Sequence, residues 1–458
     1  MINSLINTTK AINSLADLQE WIGRRNREVE VRVEEIPFSE MQGWTVDKDG
    51  TLRHESGKFF SIEGIHVKTD VGEVLEWDQP IINQPEVGYL GILTKEINGT
   101  LYFLMQAKIE PGNVNCVQIS PTLQATRSNY TQQHKGKKPN YLDYFLNAKP
   151  NQILLDQLQS EQGARFKRKR NRNIIIKVDE DVPVLEDFAW MTLAQIKELM
   201  HKDNMVNMDT RTVLAGIDFA QYLTPLTDRA QMSCFGRDML RSARQHEGYQ
   251  TMSEHLSWLT NMKAASDLVV SPKPLCDLNG WTLGEREVSR SDKKYFRVIG
   301  VNVSISNREV ASWCQPLVQP MQQGICAFII KKIGDVYHFL MHAKLECGNF
   351  DVYELAPTVQ CLTGSLNDSP KDLWPAFADY VLNAKSSQIC YDTMQSEEGG
   401  RFYHEQNRNM IIEVGEDFPN EIPYDYHWMT LGQIFEFLRF NNYINIQARS
   451  LIAAIKYV

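Results

Sequence analysis

No stretch of this chain comes near the roughly 18–20 consecutive apolar residues that a membrane-spanning helix requires. Met1 is not followed by the charged and apolar blocks of a secretory leader. Both absences lead to the expectation of a cytoplasmic protein that does not engage a membrane. Cysteine is sparse, with 8 in 458 residues, no Cys-x-x-Cys, and seven of the eight in the second half. A disulfide framework or a zinc module needs closer and more regular spacing, so reduced structural thiols are expected. An excess of basic charge is missing too: the net charge is −9, which argues against general nucleic-acid binding. The common phosphate-loop, dinucleotide, nucleophile-elbow and His-Glu-x-x-His metal signatures are all absent. No cofactor and no metal is therefore expected. Hydrophobic residues at 43% and charged residues at 23% are those of an ordinary globular protein.

What the chain does have, it has twice. LMQAKIEPGN at 104–113 returns as LMHAKLECGN at 340–349, and LQSEQGARFKRKRNRNIII at 158–176 returns as MQSEEGGRFYHEQNRNMII at 394–412. Lys108 and Lys344, Pro121 and Pro357, Arg165 and Arg401, and Asn173 and Asn409 are all separated by the same interval of about 236 residues. That interval is far longer than the roughly 20–50 residues of a solenoid unit, so it marks a duplicated domain. WMTL at 190–193 answers WMTL at 428–431, Trp77 answers Trp313, and VNMDTRTVLAGI at 206–217 answers INIQARSLIAAI at 444–455. The join falls in the polar stretch near 220–245, giving repeats at 1–235 and 236–458. Each is long enough to bury its own core.

Within one copy, a lead-in helix ending near Trp21 (Trp258 in the second) precedes a series of strands. Residues 89–109 read as two strands joined at Asn98-Gly99, a strong hairpin signal because both turn residues tolerate positive φ. Gly334-Asp335 stands at the same joint in the second copy. Residues 140–163 and 376–399 read as helix, and 166–178 as strand. Thr192 with Gln195, and Thr430 with Gln433, have the form of a capping box before a closing helix. Strands with interspersed helices, and a hairpin at the centre, make each copy α+β or a layered α/β sandwich.

Three segments could carry chemistry. On a strand over 166–178, Arg168, Arg170 and Arg172 share one face. Arginine forks suit a diphosphate, while the bland alternative is a solvated edge strand with charges that discourage aggregation. The second copy keeps only Arg408 of the three. The loop SPTLQATRSNY at 120–130 offers Thr122, Gln124, Arg127, Asn129 and Tyr130, of which only Thr358 and Gln360 persist in the second copy. A polar loop at a strand end is a usual place for binding residues, though such side chains can equally satisfy one another. Tyr130, His134 and Tyr141 are acid–base groups answered by Leu366, Pro370 and Phe377. Third, Glu161 with Arg165, and Glu397 with Arg401, read as structural ion pairs or as binding residues. Lys108 with Glu110 alternates onto one strand face, where the lysine either pairs or polarises a carbonyl. His338 and His342 share a strand face without a third ligand spaced nearby, so metal binding there is not expected.

QATRSNYTQQHKG, LQSEQGARFKRKRNRN, VNMDTRT and SEEGGRF, taken with the duplication, resemble the NDP-hexose 2,3-dehydratases over nearly the whole chain. The resemblance implies loss of the C2 hydroxyl from dTDP-4-keto-6-deoxy-glucose, with a 3-ketoreductase acting next in deoxysugar biosynthesis. It implies a homodimer and two Nudix-like α/β/α sandwich modules with mixed sheets. The full Nudix signature is nevertheless absent, Glu397-Glu398-Gly399-Gly400 echoing only its end, so fold alone would mislead about chemistry. Under this reading the first copy holds the catalytic pocket and the second is degenerate. Tyr130 and His134 do acid–base work with Lys108 at the ketone. Trp77, Thr122, Gln124, Arg127, Asn129, Tyr141, Glu161, Arg165, Arg170, Asn171, Arg172 and Arg211 contact the substrate. Trp313, Thr358, Gln360, Glu397, Arg401, Arg408 and Arg449 would line the second pocket. The competing readings are a sugar-nucleotide-binding protein without turnover and a nucleotide-sugar pyrophosphohydrolase.

Overall fold

In the computed structural model the described residues are 1–6, 11–127, 138–222, 232–306, 312–367, 370–371 and 374–458. The hairpin forms where its turn chemistry places it. Asn98 and Gly99 both have positive φ (50° and 75°), and Ile97 pairs directly with Thr100. Gly334 and Asp335 repeat this at 59° and 62°. From that hairpin each copy builds a seven-stranded mixed sheet. In the first the order is Ile153–Ser160, Arg170–Val178, Gly88–Ile97, Thr100–Ile109, Phe188–Met191, with Val117–Ser120 and Leu123–Ala125 added at the hairpin's open end. Arg170–Val178 runs parallel to Gly88–Ile97, and the remaining pairs are antiparallel. The second copy repeats this order from Ile389–Ser396 to Tyr426–Thr430.

Alternation along Thr100–Ile109 sends successive side chains to opposite faces. Phe103, Met105 and Ala107 join a core that includes Leu193, Ile196 and Val213, while Tyr102 and Leu104 pack with Leu142 and Phe145. The first of these cores is continuous across both copies, because helices Met208–Ala215 and Ile446–Ala453 pack on each other between the two sheets. Both closing helices carry the expected capping boxes at Thr192 and Thr430.

The two smaller sheets exchange strands. Val31–Ile36 from the first copy pairs with Phe296–Ile305 of the second, and Leu268–Lys273 from the second pairs with Ser61–Thr69 of the first. Their shared core contains Phe166 and Phe402, edge to face at 5.8 Å. Next to it the backbones meet closely: Gly112 N–H donates to Gly399 O (2.8 Å) and Gly348 N–H to Gly163 O (2.7 Å). A Cβ on Gly112 would lie 1.6 Å from Phe402 O, so only glycine fits there.

Two sequence expectations need correction. The helix expected over 140–163 is confined to Leu142–Leu146, and Ile153–Ser160 is a strand because it completes the sheet beside Arg170–Val178. The counterpart helix is Ala378–Leu382, followed by strand Ile389–Ser396. The strand expected from residue 166 begins at Arg170, since Arg168 sits at φ 49° and breaks the alternation. No described helix is long and apolar enough to cross a membrane, and all eight cysteines are free.

Candidate functional site

A cavity of about 550 Å³ opens beside the first copy's large sheet, and both copies line it. The open end of the hairpin contributes Gly88, Tyr89, Gln106 and Lys108, then Glu110 and Pro111 just beyond the strand. Gln124 comes from the short strand beside it, Lys169 from just before strand Arg170–Val178, Asn171 from that strand's start, and Asp209 from the first turn of its helix. Across from these stand Trp313, Gln315, Glu398 and Arg401 of the second copy. The exchanged sheets bring them there. Trp44 Nε1 donates to Cys314 O (2.7 Å), and Gln315 Nε2 donates to Gly400 O (2.8 Å).

Part of the cavity wall is aromatic. His54 lies 4.5 Å from Phe59 and 5.6 Å from Trp44, and Trp44 lies 5.2 Å from Phe60. The Arg401 guanidinium sits 4.1 Å over Phe60 and donates from Nε to Gln84 Oε1 (3.0 Å). Flat rings with a cation among them suit a planar base attached to an anion.

Another part is acidic. Lys108, 7% exposed, pairs with Glu110 at 3.3 Å, and Gln124 Nε2 donates to the same carboxylate oxygen at 3.0 Å. The other oxygen of Glu110 is buried and has no partner among the described residues. Asn171 is fixed at both ends, accepting from Gly88 N–H (3.2 Å) and donating to Glu161 (2.7 Å). Burial raises the pKa of Glu161, with the neighbouring Glu398 adding to it. Glu398 is reached from the cavity yet lies deep in the molecule, and burial raises it as well. Asp209 is 2% exposed and shifted well above the ordinary carboxylate range, first by burial and then by Glu398, Glu161 and Glu110. Its place in a helix's first turn favours the anion by about 0.3–2 kcal/mol. Burying a charge without a partner costs several kcal/mol, so burial outweighs the helix end and favours the neutral acid.

The residues singled out from sequence divide clearly. Lys108, Thr122, Gln124 and Asn171 of the first copy meet in this cavity, joined by Trp313 and Arg401, which sequence comparison had grouped with the second pocket. Thr122 is engaged with backbone, accepting from Leu93 N–H (2.9 Å) and donating to Leu104 O, and Thr358 repeats this with Ile329 and Leu340. Asn129, Tyr130 and His134 lie outside the described residues, while Thr126, Pro139 and Asn140 on either side of that segment line the cavity.

The arginine row falls outside the lining, and Arg170 and Arg172 already have partners. Arg172 forks onto Asp156 (2.7 and 2.6 Å), and Arg170 lies 4.7 Å over Phe350. Arg408 forks likewise onto Asp392. Arg127 follows the lining residue Thr126 but is not itself part of the wall. Tyr141 donates to Pro183 O (2.7 Å). Trp77 donates to Gln79 (2.9 Å), and Arg165 stacks 4.2 Å over Phe296. Glu161 and Arg165 are not an ion pair: Glu161 holds Asn171, and Glu397 holds Asn407 (2.6 Å). Gln360 donates to Glu346 (3.0 Å), as Gln124 does to Glu110. Arg211 and Arg449 are fully buried between the copies, Arg211 reaching Ser396 O and Ser450, and Arg449 reaching Ser160 O and Thr212. The sequence alone did not single out Asp209, Glu398, Lys169 and the aromatic wall. The signal for two of these was present, since Gln447 and Gln162 replace Asp209 and Glu398 in the opposite copies.

Fold and cleft together define a duplicated α+β protein with a small-molecule site of ordinary size. A family model described as NDP-hexose 2,3-dehydratase matches residues 15–217 and again 252–455. The chain is 46% identical over 455 residues to a dTDP-4-dehydro-6-deoxy-α-D-glucopyranose 2,3-dehydratase of Saccharopolyspora spinosa, covering 99% of this chain and 94% of that protein. Proteins of the same name from Amycolatopsis orientalis and Streptomyces violaceoruber are 43% and 40% identical, over 96% and 97% of this chain and 89% and 98% of theirs. The chain belongs to the NDP-hexose 2,3-dehydratase family.

Proposed function

We propose that this protein is a hydro-lyase acting on dTDP-4-keto-6-deoxy-glucose, or a close relative, and removing its C2 hydroxyl. The observation that carries this reading is the identity of up to 46% across 99% of the chain with proteins named for that substrate and reaction. The 4-keto group acidifies the C3 hydrogen. Removal of that hydrogen gives an enolate, expulsion of the C2 oxygen gives an enol, and the enol tautomerises to a 3-ketone. One carbon is reduced and its neighbour oxidised within a single molecule, so the net change needs no external redox partner.

In this reading each part of the substrate has its place in the cavity. The aromatic wall and Trp313 receive thymine, and Arg401 and Lys169 face the diphosphate. The sugar then reaches Lys108, whose ammonium stabilises the enolate oxygen at C4. Tyr130 and His134 supply the base for C3. In the second copy the pocket is degenerate, keeping Lys344 but losing the counterparts of Tyr130, His134 and Asp209. The repeats at 1–235 and 236–458 are Nudix-like modules of a cytoplasmic homodimer in deoxysugar biosynthesis. A 3-ketoreductase consumes the labile diketo product.

The test is mass spectrometry of dTDP-4-keto-6-deoxy-glucose incubated with the protein, a 3-ketoreductase and NADPH. A nucleotide sugar lacking the C2 oxygen, formed only when this protein is present, is the expected product. Free dTMP would favour pyrophosphate hydrolysis, and binding with unchanged substrate would favour a non-catalytic role.

A further inference from the structure

We propose that Asp209 is the acid that protonates the departing C2 hydroxyl, an assignment that rests on the dehydration reading above. Asp209 lines the cavity, is 2% exposed, and makes no side-chain hydrogen bond among the described residues. A carboxyl group so placed is held ready for a partner that enters the cavity. Three carboxylates act on it, Glu110 from beyond the hairpin strand, Glu161 behind Asn171, and Glu398 from the second copy. Lys108, the cation that opposes them, is ion-paired with Glu110 at 3.3 Å. The surroundings therefore favour the protonated acid, the form a proton donor needs.

The duplicated copy gives independent support. Lys108, Glu110, Thr122, Gln124 and Asn171 all persist, as Lys344, Glu346, Thr358, Gln360 and Asn407. Two residues beyond Asp209, Arg211 persists as Arg449, so the helix keeps its place. At the position of Asp209 itself stands Gln447, also buried. An amide keeps a neutral hydrogen-bonding group there and cannot give up a proton. The substitution removes proton transfer while leaving polar character, as expected of a copy that folds and no longer eliminates water.

In the step itself the enolate pair moves to form C2=C3 as C4=O is restored. The C2–O bond breaks with its electrons on oxygen, and the Asp209 proton completes a water molecule. The proton count closes when the enol's O3 proton returns to Asp209 and the base delivers the former C3 proton to C2.

The test separates the two halves of the reaction. Wild-type protein is first shown to turn over dTDP-4-keto-6-deoxy-glucose in the coupled assay. If it does not, the dehydratase reading falls and the acid assignment with it. Asp209→Asn and Asp209→Gln are then compared in D₂O. The expected result is a loss of dehydration of about 10²–10⁴-fold, the span of acid catalysis, with deuterium still entering C3 at a rate near wild type. The 2-fluoro analogue, whose fluoride departs without a proton, is expected to lose fluoride at a rate near wild type in both variants. Dehydration near the wild-type rate, or a matching fall in C3 exchange and fluoride release, would overturn the assignment. If neither variant folds, the wild-type pH profile decides. Dehydration should fall at high pH while fluoride release from the analogue does not, and a shared alkaline fall would overturn the proposal.

Discussion

Lys108 keeps its ammonium in a nearly closed wall, held by Glu110, and that arrangement suits a charge aimed at an oxygen that becomes negative during reaction. Lys108→Met preserves the stem and removes the charge. Turnover is expected to drop by about 10²–10³-fold, the usual cost of losing one such donor, with little change in KM. Steady-state kinetics beside a thermal melt checks this, and an unaltered kcat would remove Lys108 from the chemistry. Trp313→Ala is expected to act on binding instead, weakening dTDP by roughly 1–3 kcal/mol if the ring stacks on the base, as read by calorimetry. Some of these residues were legible without coordinates. Lys108 stood out by alternating with Glu110 on a strand face in both copies, Gln124 by persisting in the polar loop after a strand, and Asn171 through the family resemblance. The arginine row misled because Arg172 finds its carboxylate at Asp156 through a strand pairing that the sequence does not display. Trp44 and Phe60 were missed because their relation to the pocket depends on strand exchange between copies.

At the scale of elements, local chemistry is legible where it is self-contained. The Asn98-Gly99 turn and the Thr192 and Thr430 boxes involve residues at most three apart. Thr192→Ala is expected to cost about 1 kcal/mol, as cap removal usually does, and urea unfolding at neutral pH measures it. The segment Ile153–Ser160 was misread as helix because its partner strand, which decides its state, lies elsewhere in the chain. Where the second copy's strand Tyr353–Ala356 meets the first, Glu354 accepts from Ser160 Oγ at 2.7 Å and is fully buried, its pKa pushed from 4.5 to about 7 by desolvation. Between those two values the folded protein holds a proton that the unfolded chain has released, so stability falls as pH rises through the window. The slope attributable to this group is at most about 1.4 kcal/mol per pH unit. Urea midpoints should be lower at pH 7.5 than at pH 5.5. Glu354→Gln should flatten that slope, and an unchanged slope would mean that the group does not titrate there.

At the scale of the whole molecule, neither repeat completes its own small sheet. Ser61–Thr69 takes its edge partner from Leu268–Lys273, and Val31–Ile36 has its partner in Phe296–Ile305. Fragments 1–235 and 236–458 produced separately are therefore expected to lack a cooperative unfolding transition. Produced together, they should assemble into a complex that regains it. Circular dichroism with size-exclusion chromatography reads both results, and a well-folded monomer of either fragment would contradict this. The duplication was legible in full from repeated strings. The exchange was not, because swapped and unswapped arrangements bury the same residues with the same local patterns.

The exchange also sets a timetable for synthesis. Ser61–Thr69, with Ile62, Ile65 and Val67 among its core residues, is made about 200 residues before Leu268–Lys273. At roughly 5–20 residues per second the strand waits about 10–40 s on the ribosome with one edge open. An open apolar edge invites pairing with other chains, so a nascent chain arrested before residue 273 is a substrate for chaperones or for aggregation rather than half of an enzyme.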